Sequence, residues 1–175
     1  MAAVARSDRV AAEAAIADLY AQERVCPPVT IRVGRAWLSL GEPGKALEAC
    51  NRGLSVITDG GDRYLLSRCK LDALEKLSRH PEAIAAAKEY LREAPTSSWR
   101  HLELAKLLEK DAPAEALSHV REAMLLRPVC REAYYSPEAQ NEPDREAEEM
   151  LRLYGRLQTR QLTAGDGVLH GDAGP

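Results

Sequence analysis

Apolar residues return every three or four positions along most of this 175-residue chain, the interval that lines one face of an α-helix. Ala12, Ala15, Ile16, Leu19 and Tyr20 set out a first amphipathic helix over about residues 8–24, which Pro27-Pro28 is expected to stop. Leu66, Cys69, Ala73, Leu74 and Leu77 set out another. Met150, Leu151, Tyr154 and Leu157 carry a last one across about residues 146–161.

The pattern also repeats at longer range. A helix that opens on an alanine and closes before a proline runs from Ala83-Ile84 through Leu91 to Pro95. It returns 33 residues later, from Ala116-Leu117 through Met124 to Pro128. Ala46-Leu47 and Leu54 begin the series, 37 residues ahead of Ala83. Each of these helices follows another apolar stripe, so the repeating unit is helix, turn, helix. Gly41-Glu-Pro-Gly44 supplies the first turn, with a glycine able to take positive φ at the helix end. An extended junction at Asp59-Gly60-Gly61 lengthens the first interval, and a turn one residue short at Asp111-Ala-Pro113 shortens the second. Pro81 suits the first turn of a helix, where its missing N–H costs nothing.

A helix–turn–helix unit with a period near 34 is the tetratricopeptide spacing, and the contact positions resemble that repeat (TPR) family. In the first repeat, about residues 30–58, the family's Leu-Gly pair falls on Val33-Gly34, its aromatic on Trp37 and its second-helix alanine on Ala46. Thr30 replaces a usual Trp, Cys50 a usual large aromatic, and Gly53 is a second small residue. Small side chains belong where paired helices touch, because larger ones would push the axes apart. The second repeat, about 62–95, matches through Ala83, Ile84, Ala87, Tyr90, Leu91 and Pro95, although Lys70 stands where Leu is expected. The third, about 98–128, places Leu104-Ala105 at the Leu-Gly position, Leu108 at the aromatic, and Ala116, Val120 and Ala123 on the second helix.

Flanking segments complete this reading. Residues 1–28 form an N-terminal capping helix, since terminal repeats must cover an exposed core. Residues 129–162 hold a degenerate fourth repeat, opened by Arg131-Glu-Ala-Tyr134 and broken at Pro137 and Pro143, followed by a C-terminal capping helix. The tail, 163–175, has four glycines and little to bury, and is expected to be disordered. The fold class is therefore all-α, and the resemblance implies a right-handed α-solenoid of three TPR-like repeats between capping helices.

Composition supports a helical core and narrows the chemistry. The chain is 45% hydrophobic but only 5% aromatic, with no Phe, which favours close helix packing through small residues. Its formal net charge of -3 gives no overall attraction to nucleic acid or an anionic membrane. Cys26, Cys50, Cys69 and Cys130 contain no Cys-x-x-Cys pair, so a metal site is not expected and the thiols read as small apolar residues. Acidic residues at Asp8, Glu13, Asp18 and Glu23 interrupt the apolar start, and no stretch reaches the ~18 apolar residues needed to span a bilayer. The expectation is a cytoplasmic protein.

Catalysis finds little support. His80, His101, His119 and His170 lie on separate segments, none beside a placeable Ser or Cys partner, and no phosphate-binding loop occurs. No cofactor is expected, and the chain reads as non-enzymatic. Charge is more telling. The resemblance implies that first helices line a concave groove. Arg32, Arg35, Arg63, Arg68, Lys70, Lys76, Arg79, Arg100, Lys106 and Lys110 outnumber Asp72, Glu75, Glu103 and Glu109 there. Such a surface would attract an acidic protein or peptide segment, with Arg35, Arg68, Trp99 and Lys106 as the chosen contacts; a solvated face of mixed charge is the alternative. Trp99 serves equally well as a packing residue between repeats.

The expected function is thus a non-catalytic interaction module, an adaptor or scaffold holding a partner segment. Two alternatives stay open: a small cytoplasmic chaperone for secreted proteins, and a regulatory or substrate-tethering part of a larger enzyme. Self-association into a homo-oligomer is a further partner choice.

Overall fold

The computed structural model describes residues 2–21, 27–58, 60–134 and 144–166, with side chains for residues 9–18, 29–58, 60–128 and 144–163. Among these residues there are eight α-helices and no strand. In chain order they are α1 (Ala2–Ala21), α2 (Pro27–Ser39), α3 (Pro43–Val56), α4 (Gly60–Lys76), α5 (His80–Glu93), α6 (Ser98–Leu108), α7 (Pro113–Tyr134) and α8 (Arg145–Asp166). They group into two compact units, Met1–Ala83 and Ile84–Pro175.

In the first unit, α2 packs on α3, α3 on α4, and α2 also on α4, with α1 set against α2. Ile31, Cys50, Ile57, Leu66 and Cys69 form a buried cluster, joined by Leu38, Leu54 and Leu65. Two glycines permit this closeness. A Cβ on Gly34 would sit 2.8 Å from Cys69 Sγ and 3.0 Å from Cys50 Sγ, and one on Gly53 would sit 2.8 Å from both Leu66 Cδ1 and Thr30 Cγ2. Thr30 is fully buried, and the short side chains at positions 30 and 50 fill the room left beside these glycines.

Two of the turns between paired helices share one device. After α2, Gly41 takes φ +75°, while its N–H bonds Leu38 O at 3.2 Å and the Glu42 N–H bonds Trp37 O at 2.9 Å. After α4, Ser78 takes φ +57°, and the N–H groups of Ser78 and Arg79 bond Glu75 O and Leu74 O, both at 2.9 Å. Both are Schellman-type stops that satisfy the last carbonyls of a helix. The turn after α6, residues 109–112, closes instead through Glu109 N to Lys106 O at 3.3 Å and Ala112 N to Leu108 O at 2.9 Å.

Several boundaries differ from the expected ones. Pro27-Pro28 opens α2 instead of merely ending α1, which closes at Ala21; proline at the first helical positions gives up only N–H groups that have no intrahelical partner. Gly60 and Gly61 are the first turn of α4, not an extended junction. In the second unit α7 runs through Pro128 to Tyr134, so Arg131–Tyr134 ends this helix and does not open a fourth repeat. Pro128 forgoes one main-chain bond on an exposed surface, where water can serve the acceptor it releases. Pro137 and Pro143 lie outside the described residues. Finally, α8 extends to Asp166, taking in the start of the expected tail, of which 167–175 lies outside the described residues.

The core of the second unit comes from α6, α7 and α8, with α7 packed against both others. Leu102, Leu104, Leu108, Ala116, Leu117, Val120, Ala123, Met150, Leu153 and Leu157 are buried. An ionic clamp secures the start of α8. Arg127 reaches both Asp144 oxygens at 2.9 Å and Glu146 at 2.5 Å, while Asp144 Oδ1 accepts the Ala147 N–H at 3.1 Å. Asp144 therefore caps α8 and anchors it to α7 in the same stroke. Among the described residues no helix is long and apolar enough to cross a membrane.

Candidate functional site

The amphipathic pattern of α2 buries Thr30, Ile31, Val33, Gly34 and Trp37, which leaves Arg32 and Arg35 exposed. On α4, burial of Leu66, Ser67, Cys69, Leu71, Ala73 and Leu74 leaves Arg68 exposed together with Asp72 and Glu75. Because α2 packs against α4, Arg35 and Arg68 belong to two neighbouring helices of the first unit. The Arg35 charge reaches Cys69, the residue next to Arg68. Cys69 and Cys50 are free, buried thiols. Cys50 is pushed far above the ordinary thiol range by its hydrogen bond to Cys69 and by burial, while that same hydrogen bond holds Cys69 below it; both side chains pack within the buried cluster of the first unit.

Trp99 and Lys106 lie on α6 in the second unit. Trp99 is half-buried. Lys106 is half-buried too, and its ammonium lies 3.0 Å from Glu103 and 2.7 Å from Glu149 of α8. Burial, the largest single influence, pulls the Lys106 pKa down, but Glu149 and Glu103 together hold it above its ordinary value. The four candidate contacts thus fall into two sets, one in each unit.

Many of the other basic residues counted on the first helices serve the fold. Arg63 donates to the carbonyls of Leu54 and Ile57 at 2.8 and 3.2 Å, closing the end of α3. Arg79 lies in the turn after α4, not on it, and grips both oxygens of Glu82 at 2.6 Å. This pairing lowers the Glu82 pKa. Arg100 donates to the Tyr90 carbonyl and lies 3.5 Å from Glu93. Glu109, in the turn after α6, accepts both arms of Arg156 from α8 at 2.9 and 3.0 Å, which lowers its pKa. Sequence spacing shows which helix a charge rides on, but not the carbonyl or carboxylate it will meet.

His101, on α6, is buried and directs its ring at His119 of α7. Eighteen residues separate the two, and no sequence signal joins them. Among the described residues no group of three or more His, Cys, Asp or Glu side chains is placed to hold a metal ion.

These helix pairs define an all-α helical-repeat protein of TPR-like geometry. The fold is similar to solved structures of MamA. A crystal structure of MamA protein aligns with 98% of this chain and 91% of its own, at 13% identity and TM-score 0.57. MamA 41-end from Desulfovibrio magneticus RS-1 aligns over 87% of this chain and 86% of its own, at 15% identity and TM-score 0.55. MamA MSR-1 C2 gives 91% and 95%, 17% identity and TM-score 0.51. At these identities the likeness establishes the fold. No family model matches the sequence, and no curated protein does.

Proposed function

We propose that the protein is a non-catalytic interaction module that holds an acidic segment of a partner protein against the face shared by α2 and α4. The observation that carries this reading is the exposure of Arg32, Arg35 and Arg68 on two packed helices. Arginine suits the role because its planar fork binds a carboxylate through two hydrogen bonds. Helices that are already folded lower the ordering cost of association, and the arginine charges raise its rate.

Trp99 and Lys106 form a secondary set. Lys106 would have to exchange Glu103 or Glu149 for a partner carboxylate, so its contribution is smaller than that of Arg35. The test is capture of partners from native lysate by the wild type, by the Arg35→Glu/Arg68→Glu pair and by Lys106→Glu, each first shown to keep wild-type helical circular dichroism. Loss of a captured partner with the arginine pair and its retention with Lys106→Glu supports the reading. Equal capture by all three proteins rejects it.

A further inference from the structure

Two histidine rings meet through their nitrogens within the second unit. His101 Nδ1 of α6 and His119 Nδ1 of α7 are 3.1 Å apart. The ring centroids are 5.3 Å apart, so their separation exceeds that of the nitrogens by about two ring radii, and the rings meet tip to tip. One of the two nitrogens must donate and the other accept.

The surroundings decide which. His101 Nε2 lies 2.9 Å from the Pro95 carbonyl oxygen. A carbonyl only accepts, so this nitrogen carries the hydrogen, and the Nδ1 of neutral His101 is a bare lone pair. His119 therefore donates from Nδ1 and leaves its own Nε2 bare, 3.9 Å from Glu115 Oε1. Lys88 of α5 holds the same Glu115 oxygen at 2.8 Å. The chain of contacts ties the turn before α6 to α6, and α6 to α7.

This arrangement has a place for one additional proton but not for two. A proton on His119 Nε2 faces Glu115 and leaves the nitrogen–nitrogen bond intact. A second proton has only His101 Nδ1 to occupy, where it would set one N–H against another across 3.1 Å and place two positive rings together. The charges acting on His119 are those of His101 on α6, Lys88 on α5, and Glu115 and Glu122 on α7. Glu115 and Glu122 favour protonation; His101 and Lys88 oppose it.

We propose that His101 and His119 form a proton-operated latch, closed when they share one N–H···N bond and opened when both rings become protonated, releasing the start of α6 and the Pro95 turn from α7. His119 itself, before the latch opens, contributes to stability with a definite pH sense. Burial first, and then His101, hold His119 below its ordinary value of 6.5. The folded chain therefore binds this proton less tightly than the unfolded chain. Its stabilising share is complete above 6.5 and is lost as pH falls from there toward the lowered value.

The test is nitrogen-15 NMR of the imidazoles in the intact protein, with amide hydrogen exchange followed from pH 7.5 to 5. At pH 7.5 the latch requires His101 protonated at Nε2 and bare at Nδ1, and His119 the reverse. On acidification the N–H···N bond should survive the first proton, on His119 Nε2, and amide protection around residues 97–102 should fall by about tenfold or more once a second proton breaks that bond. His119→Asn, which keeps a donor near the Nδ1 position but cannot titrate, should flatten that loss. Opposite tautomers at pH 7.5, or a protection loss identical in wild type and His119→Asn, would overturn the proposal. The tautomer measurement needs no variant, so a misfolded His119→Asn would not spare it.

Discussion

Gly41 and Ser78 hold the same left-handed position in two equivalent turns, 37 residues apart, and only one of them is glycine. A side chain at positive φ brings Cβ close to the backbone and costs about 1 kcal/mol. We expect Ser78→Gly to raise the unfolding free energy by roughly 0.5–1 kcal/mol, measured by urea denaturation. Gly34 is the opposite case. Its helical site would welcome alanine, but the added Cβ would lie against the sulfurs of Cys50 and Cys69. Gly34→Ala should therefore lose about 1–2 kcal/mol net of its helix-propensity gain. Gly34 could be read from the sequence because the repeat pattern assigns it to a helix contact. The two thiols that make the contact tight are set by packing, and so is the bond between His101 and His119, whose geometry no periodicity encodes.

Among the helices, the second-helix stripes were the most legible part of the chain. Ala46, Ala83 and Ala116 are each completely buried, at the spacing where their repeats need close approach. Starts and stops were harder to read, since proline and glycine have position-dependent meanings. Pro27 is favourable at a helix start, Pro128 is tolerated inside α7, and Gly60-Gly61 fits within the first turn of α4. The start of α8 depends on a contact across 17 residues, from Arg127 to Asp144, which local pattern cannot reveal. Arg127→Ala would leave Asp144 and Glu146 without their buried cation. We expect it to cost about 3 kcal/mol and to weaken protection at the start of α8 before the rest of that helix, a sequence that hydrogen exchange would resolve.

For the whole molecule, a net charge of -3 conceals how the positive side chains are distributed. Of the basic residues on first helices, Arg32 and Arg35 of α2 and Arg68 of α4 are exposed. A count of basic residues overstates α6, because Arg100 and Lys106 are met by Tyr90, Glu93, Glu103 and Glu149. A linear sequence records charge but not the distant acceptor that absorbs it. The central claim is that the α2–α4 arginines hold an acidic partner segment, and partner capture from native lysate tests it most directly. The account predicts a partner retained by wild type and by Lys106→Glu but lost by Arg35→Glu/Arg68→Glu, with capture by wild type weakening as salt rises. Undiminished capture by the folded arginine variant would contradict it.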